Sequence, residues 1–270
     1  MKKQFLVFVI LFLSAKLNAA TVDTVSIYSE SMHREFKCVV VQPASAVNKS
    51  ISFPVVYLLH GSGGWYSNMI IRIPQLTGQA DKYNMILVFP DGGKTSWYFD
   101  SPVNDSMKYE TYISKEIPAY IDAHYNTIKN RSGRVISGLS MGGHGALMIA
   151  FHHADFFGAC GSMSGAVDLL NLPGKTDVKK VLGDSSDSWK NYSVMNIVEH
   201  YPKDSLSVII DCGVDDFLYK GNHALHDKLV QLKVPHDYIE RPGKHEWPYW
   251  RNAVLYQLLF FNEYFKKGLK

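Results

Sequence analysis

The feature that most constrains this chain is an alternation. Short apolar runs, several closed by glycine, proline or an acid, alternate with stretches of helical spacing along most of its length. The run 55–59 leads into Gly61, and the run 85–89 into Pro90 and Asp91. Such runs suit strands buried on both faces of a sheet. The same reading predicts strands over 21–29, 34–41, 134–137, 159–162, 207–211 and 236–240. It predicts helices over 109–125, 142–153, 223–233 and 247–265. In the first helix Ile113, Ile117 and Ile121 share one face. The expected architecture is α/β: a mainly parallel sheet of about eight strands with helices on both faces. In such sheets ligands bind beyond the carboxyl ends of the strands.

Residues 166–206 lack strand character and read as a helical insertion over the site. No internal repeat or linker rich in Pro or Gly divides the chain. With 270 residues, 46% of them hydrophobic, residues 21–270 are expected to form a single catalytic domain.

The N-terminus reads as an export signal over residues 1–20. Lys2 and Lys3 precede an unbroken apolar run from Phe5 to Leu13, and small residues end at Ala19 and Ala20. The run is shorter than the roughly 20 residues that a membrane span needs, and no cysteine stands near the cleavage point for lipidation. The expected protein is therefore periplasmic or extracellular, with no stable membrane anchor. Removal of the signal takes Lys2, Lys3 and Lys16 from 28 basic residues and no acid, which leaves them equal to the 25 acids. A neutral body carries no footprint for a phosphate backbone, which argues against nucleic acid as a partner. Cys38, Cys160 and Cys212 are too few for a disulfide framework. His152 and His153, adjacent on a predicted helix, are expected to diverge as surface residues and not to bind metal. No metal or organic cofactor is implied.

The chemistry centres on Gly138-Leu139-Ser140-Met141-Gly142. The pentapeptide alone is weak evidence. Its setting is specific, because it joins the strand 134–137 to the helix 142–153, as a nucleophile elbow requires. The sharp turn demands small neighbours, and the helix N-terminus aims N–H groups at a developing oxyanion. A serine needs a base, which is expected after the last strand. His245 stands there, between strand 236–240 and the final helix. The acid is expected between serine and histidine in sequence, and three compete around the end of strand 207–211: Asp211, Asp215 and Asp216. Asp211 still belongs to the strand. Spacing does not separate Asp215 from Asp216. The segment His60-Gly61-Ser62-Gly63-Gly64 follows strand 55–59 and suits a second oxyanion donor. The donors are expected to be the backbone N–H groups of Ser62 and Met141. Trp97, Tyr98 and Trp247 lie on predicted site loops and are candidates for substrate contact, or equally for packing.

These motifs together resemble an esterase family of the α/β-hydrolases. That family includes the esterase D and S-formylglutathione hydrolase group, tributyrin-type esterases, feruloyl and acetylxylan esterases, and the mycolyltransferases. The resemblance spans nearly the whole mature chain. It rests on Leu58-Leu59-His60-Gly61-Ser62-Gly63-Gly64, Ser96-Trp97-Tyr98, Asp100-Ser101-Pro102 and Tyr109-Glu110-Thr111. It continues through Gly138 to Ala146, Gly213-Val214-Asp215-Asp216-Phe217-Leu218 and Gly243-Lys244-His245-Glu246-Trp247. It implies the α/β-hydrolase fold, and it places the triad acid on the third residue after the loop glycine, Asp216. Leu139 stands where S-formylglutathione hydrolases usually carry histidine, and no cysteine occurs between positions 39 and 159. The implied activity is that of an exported serine carboxylic-ester hydrolase working through an acyl-enzyme. Its substrates are expected to be acetyl or feruloyl esters of carbohydrate, or short-chain esters. A glutathione thioesterase and an acyltransferase with the same triad are the alternatives.

Overall fold

The computed structural model describes residues 19–174, 176–200 and 206–268. The expected export signal lies outside the described residues, apart from Ala19 and Ala20.

The eight runs form eight strands: β1 (Thr21–Ser29), β2 (Arg34–Gln42), β3 (Val55–Leu59), β4 (Ile86–Pro90), β5 (Arg134–Gly138), β6 (Ala159–Met163), β7 (Ser207–Gly213) and β8 (His236–Arg241). They make one sheet in the order β1-β2-β4-β3-β5-β6-β7-β8. β1 pairs antiparallel with β2 and β2 with β4, and every later pairing is parallel. The interior strands β3 to β6 are buried along their whole length. This is why they read as unbroken apolar runs and not as alternating patterns.

Alternate residues of each strand feed two separate cores, as a pleat of period two requires. Val55, Tyr57, Leu59, Ile86, Val88, Ile136, Val208 and Ile210 pack on one face, with the helices Ile117–His124, Met141–His152 and Tyr219–Gln231. Val56, Leu58, Leu87, Phe89, Val135 and Ile209 pack on the other, under the helices Leu76–Tyr83 and Trp247–Gly268.

The predicted helix 109–125 is helical but not uniform: a π turn over Tyr112–Glu116 interrupts it. Ile113, Ile117 and Ile121 are buried nonetheless. Residues 166–200 carry three short helices, Thr176–Leu182, Ser186–Trp189 and Val194–Ile197. This segment covers the Met141–His152 helix, with Val178, Val181, Trp189 and Val194 joining the first core. That helix is buried on every side from Met141 to Phe151, which explains its apolar composition.

The two histidines at its end reach the surface as expected, His152 exposed and His153 partly so, but they do not diverge. His152 Nδ1 and His153 Nε2 both meet Glu110 Oε1, at 2.9 and 3.1 Å. The helix ends at His152, and His153 (φ −122°, ψ 48°) has left helical geometry. Neighbours there no longer diverge, and they close together on one carboxylate. Burial raises the Glu110 pKa, but the two histidine contacts outweigh it and hold the carboxyl at about 2. Cys38, Cys160 and Cys212 are buried free thiols. No helix among the described residues is long and apolar enough to cross a membrane.

Candidate active site

β5 ends at Gly138, and the buried helix begins at Met141. Ser140 between them holds φ 56° and ψ −119°. A positive φ is costly for a residue with a Cβ and persists only where the surroundings over-determine it. The surroundings here are backbone. A Cβ on Gly142 would lie 2.3 Å from the Leu59 carbonyl oxygen, so the elbow seats directly against the end of β3. Ser140 N–H donates to the Met163 carbonyl at 2.9 Å, and Leu139 N–H to the Leu59 carbonyl at 3.1 Å. The turn is thus tied to the strands on both sides.

Ser140, His245 and Asp216 form one hydrogen-bonded chain. Ser140 Oγ lies 2.8 Å from His245 Nε2. His245 Nδ1 lies 2.8 Å from Asp216 Oδ2 and 3.1 Å from Oδ1. A carboxylate only accepts, so the Nδ1 position carries the proton and Nε2 presents its lone pair to the serine hydroxyl. The Asp216 side chain is fully buried, whereas that of His245 is 17% exposed. Asp216 Oδ1 also accepts from Leu218 N–H at 2.8 Å. Asp215 is exposed, and among the described residues its hydrogen bond is made by the backbone, N–H to the Gly243 carbonyl at 3.0 Å. The choice that spacing left open is thus made by where each side chain points.

The two loops of the acid and the base are zipped together. Val214 N–H donates to the Arg241 carbonyl at 3.0 Å, beside the Asp215 bond. A Cβ on Gly213 would fall 2.3 Å from the Gly243 oxygen. Beneath them lies Asp211, the acid that the sequence assigned to the strand, with partners that the sequence did not indicate. Asp211, buried at the end of β7, takes Arg241 at 2.6 Å on one oxygen and the Tyr249 hydroxyl on the other. Arg241 in turn lies over the rings of Tyr249 and Tyr256, at 4.9 and 4.5 Å. Burial pushes the Asp211 pKa up against the pull of Tyr249 and Arg241. These contacts bracket the loop that bears His245. The signal available in sequence was only a charged residue inside an apolar strand.

On the opposite side of Ser140 the supporting side chains His60, Tyr98 and His144 are buried, with the Asp91 carboxylate close enough to act on His60. Neither Ser62 N–H nor Met141 N–H donates to a protein acceptor among the described residues. Both therefore remain free to receive an oxyanion. His60 fixes the loop that carries Ser62. Its Nδ1–H donates to the Gly61 carbonyl at 2.9 Å, and its Nε2 accepts from Gly92 N–H at 2.9 Å. Burial pulls its pKa below the ordinary histidine value. His144, one turn along the elbow helix, donates from Nε2 to the Tyr192 carbonyl at 2.8 Å. Burial lowers its pKa to about 4.

Of the three aromatic candidates, Tyr98 sits in the core. It is fully buried, and its hydroxyl donates to the His60 carbonyl at 2.9 Å. It props the loop between His60 and Ser62 and has no face left for substrate. Trp97 is 8% exposed and packs edge-on to His144. Trp247 is half-buried at the rim, against Trp250 and beneath Arg72. The ring that approaches the histidine most closely is Phe217, 64% exposed with its centroid 4.6 Å from that of His245. Trp250 stands edge-on to the same imidazole at 4.8 Å. Among the described residues no group of three or more His, Cys, Asp or Glu is arranged to hold a metal ion.

Residues 29–261 match the family described as "Putative esterase". The chain belongs to this esterase family. Among solved structures, a ferulic acid esterase is 30% identical, with a TM-score of 0.80 over 92% of this chain and 99% of that one. Among curated proteins, an acetyl esterase of Caldicellulosiruptor saccharolyticus is 25% identical over 256 residues, 85% of this chain and 94% of its own. An esterase of Mycobacterium tuberculosis strain H37Rv is 27% identical over 228 residues, 72% of this chain. The chain spans about half the length of that relative, 49%, and of its counterpart in a second strain. The chain shares the α/β-hydrolase fold of these esterases.

Proposed function

We propose that this esterase is exported and releases acetyl or feruloyl groups from carbohydrate, with Ser140 as nucleophile, His245 as general base and acid, and Asp216 as the orienting acid. The hydrogen-bonded chain from Ser140 through His245 to the buried Asp216 carries the reading. His245 Nε2 takes the hydroxyl proton as Ser140 Oγ attacks the ester carbonyl. The N–H groups of Ser62 and Met141 receive the charge that develops on the carbonyl oxygen. As the C–O bond to the alcohol breaks, His245 returns the proton to the leaving oxygen. Water then repeats the sequence on the acyl-serine and frees the acid. Asp216 fixes the imidazole tautomer and stabilises the imidazolium, which is why an acid and not an amide belongs there. The names of two relatives, a ferulic acid esterase and an acetyl esterase, support the acyl groups chosen. Export rests on the sequence of residues 1–20.

The test is a panel of acetylated xylan, methyl ferulate and p-nitrophenyl acetate, butyrate and octanoate, with wild type and Ser140→Ala. Loss of the nucleophile closes the covalent route and is expected to reduce every rate by several orders of magnitude, roughly 10⁶-fold in a comparable hydrolase. An organophosphonate is expected to label Ser140 alone. Full activity in the variant, or preference for octanoate over both carbohydrate-type esters, overturns the proposal. An intact Met1 on soluble cytoplasmic protein overturns export.

A further inference from the structure

Ser140 follows β5 and Asp216 follows β7, and β6 lies between those two strands in the sheet. No strand pairing therefore sets the distance from the serine to the acid. His245 nevertheless bonds both, at 2.8 Å on each side. We infer that Asn222 is a positioning residue for the triad: its side-chain amide holds the acid loop against the back of the elbow and so keeps Asp216 at hydrogen-bond length from His245. The inference rests on the mechanism proposed above and adds to it a residue outside the triad.

Asn222 stands in the first turn of the Tyr219–Gln231 helix and is fully buried. Its Nδ2 donates to the Gly165 carbonyl at 2.8 Å and to the Leu218 carbonyl at 3.0 Å. Two carbonyls can face only the donor end of an amide, which fixes the orientation of the side chain. The bond to Leu218 is local, one helical turn back, whereas the bond to Gly165 spans 57 residues. From Leu218 the path to the acid is a single bond, because Leu218 N–H donates to Asp216 Oδ1 at 2.8 Å. From Gly165 the path to the elbow is one of packing and hydrogen bonding. A Cβ on Gly165 would lie 3.2 Å from the His144 backbone nitrogen, so this loop seats on the first turn of the elbow helix. Ala166 N–H donates to the Ser140 carbonyl at 3.3 Å, and Ser164 N–H to the Asp211 carbonyl at 2.7 Å. One amide thus joins the loops that follow β5, β6 and β7.

A buried amide is a costly way to fill space. Among the described residues no protein donor meets Asn222 Oδ1, so its acceptor end gains nothing from the protein on burial. A leucine of similar volume would fill the core without that cost. What the amide supplies, and an apolar side chain does not, is the pair of N–H bonds that close the loop after β6 onto the acid loop. The imidazole depends on that closure. A hydrogen bond weakens steeply once it is misaligned, and a displaced carboxylate no longer fixes the tautomer or stabilises the imidazolium.

Asn222→Leu keeps the volume, and Asn222→Ala installs the best helix former without crowding the core; both lose the donor. Each is made in the wild type and in Asp216→Asn, with circular dichroism to confirm folding, and the alanine variant carries the test where leucine does not fold. On p-nitrophenyl acetate each substitution is expected to lower kcat about tenfold in the wild-type background, with KM changed by no more than about twofold. In Asp216→Asn the charge of the acid is already gone, and the same substitutions are expected to cost less than about threefold. A residue that only packs the core would lower kcat by the same factor in both backgrounds. Unchanged kcat in a folded variant, equal losses in the two backgrounds, or a loss carried by KM overturns the inference. Full activity in Asp216→Asn overturns the proposed mechanism and the inference with it, in an arm that leaves Asn222 untouched.

Discussion

The two halves of the site are built on opposite electrostatic plans. On the β7–β8 side, Asp211, Asp216, Arg241 and His245 meet in close, charge-bearing contacts. On the β3–β4 side, the supports are His60, Tyr98 and His144, and it is their burial that favours the neutral form of each. The difference follows from the work of each half. The base must gain and lose a proton, so it needs a carboxylate behind it and some contact with solvent. The proposed oxyanion donors are backbone amides, which need only to stay still. Neutral groups in a dry environment fix them without adding a charge that the buried site would have to solvate.

The comparison breaks most visibly at the triad acid. Asp216→Asn is expected to lower kcat by at least about a hundredfold, because an amide neither enforces the tautomer nor stabilises the imidazolium; the serine-protease precedent is about 10⁴. Steady-state kinetics with circular dichroism decides it, and unchanged kcat would remove Asp216 from the mechanism. On the other half, Gly61→Ala tests position without touching a charge. Its methyl would meet Leu139 Cδ1 at 2.8 Å and Ser140 Cβ at 3.3 Å, which pushes the Ser62 loop off the elbow. A loss of roughly tenfold to a hundredfold, carried by kcat with KM little changed, is expected where an oxyanion donor shifts.

Asp211→Asn probes the bracket behind His245 and is expected to cost about tenfold in kcat, since geometry loosens while the triad stays intact. Asp215→Asn should change kcat by no more than about twofold, because its side chain is exposed. Loss of activity in Asp215→Asn instead of Asp216→Asn would reverse the assignment of the acid.

The smallest effect is on stability, and it is read through pH. His144 has a folded pKa lowered from the ordinary 6.5 to about 4. Below 6.5 the unfolded chain binds a proton that the folded protein refuses, so stability falls as pH drops from about 6.5 to about 4, and the loss is complete below the lower value. His144→Gln, which still donates to the Tyr192 carbonyl, is expected to flatten that part of the Tm–pH curve. Glu110 acts lower: its stabilisation is present above 4.5 and is lost as pH falls toward about 2. Thermal melts between pH 4 and 8 that are equally steep in wild type and His144→Gln would contradict the account.

What the sequence determined by itself is the frame. Runs such as 55–59 and 134–137 are local, and their apolar character follows from burial on both faces, so strand, elbow and helix could all be located from neighbouring residues. Ser140 and His245 were legible because each lies at a strand end defined by its own flanks. Tertiary structure alone decided matters in which side chains from distant segments share space. Asp215 and Asp216 are adjacent in sequence, and only the direction each takes, set by the Gly213–Gly243 approach and the Leu218 N–H bond, separates them. Tyr98 and Phe217 are both aromatic residues on site loops, yet one is buried under His60 and the other stands open beside His245. Periodicity reports whether a residue tends to be buried. It does not report which partner buries it, because that depends on contacts between segments far apart in the chain.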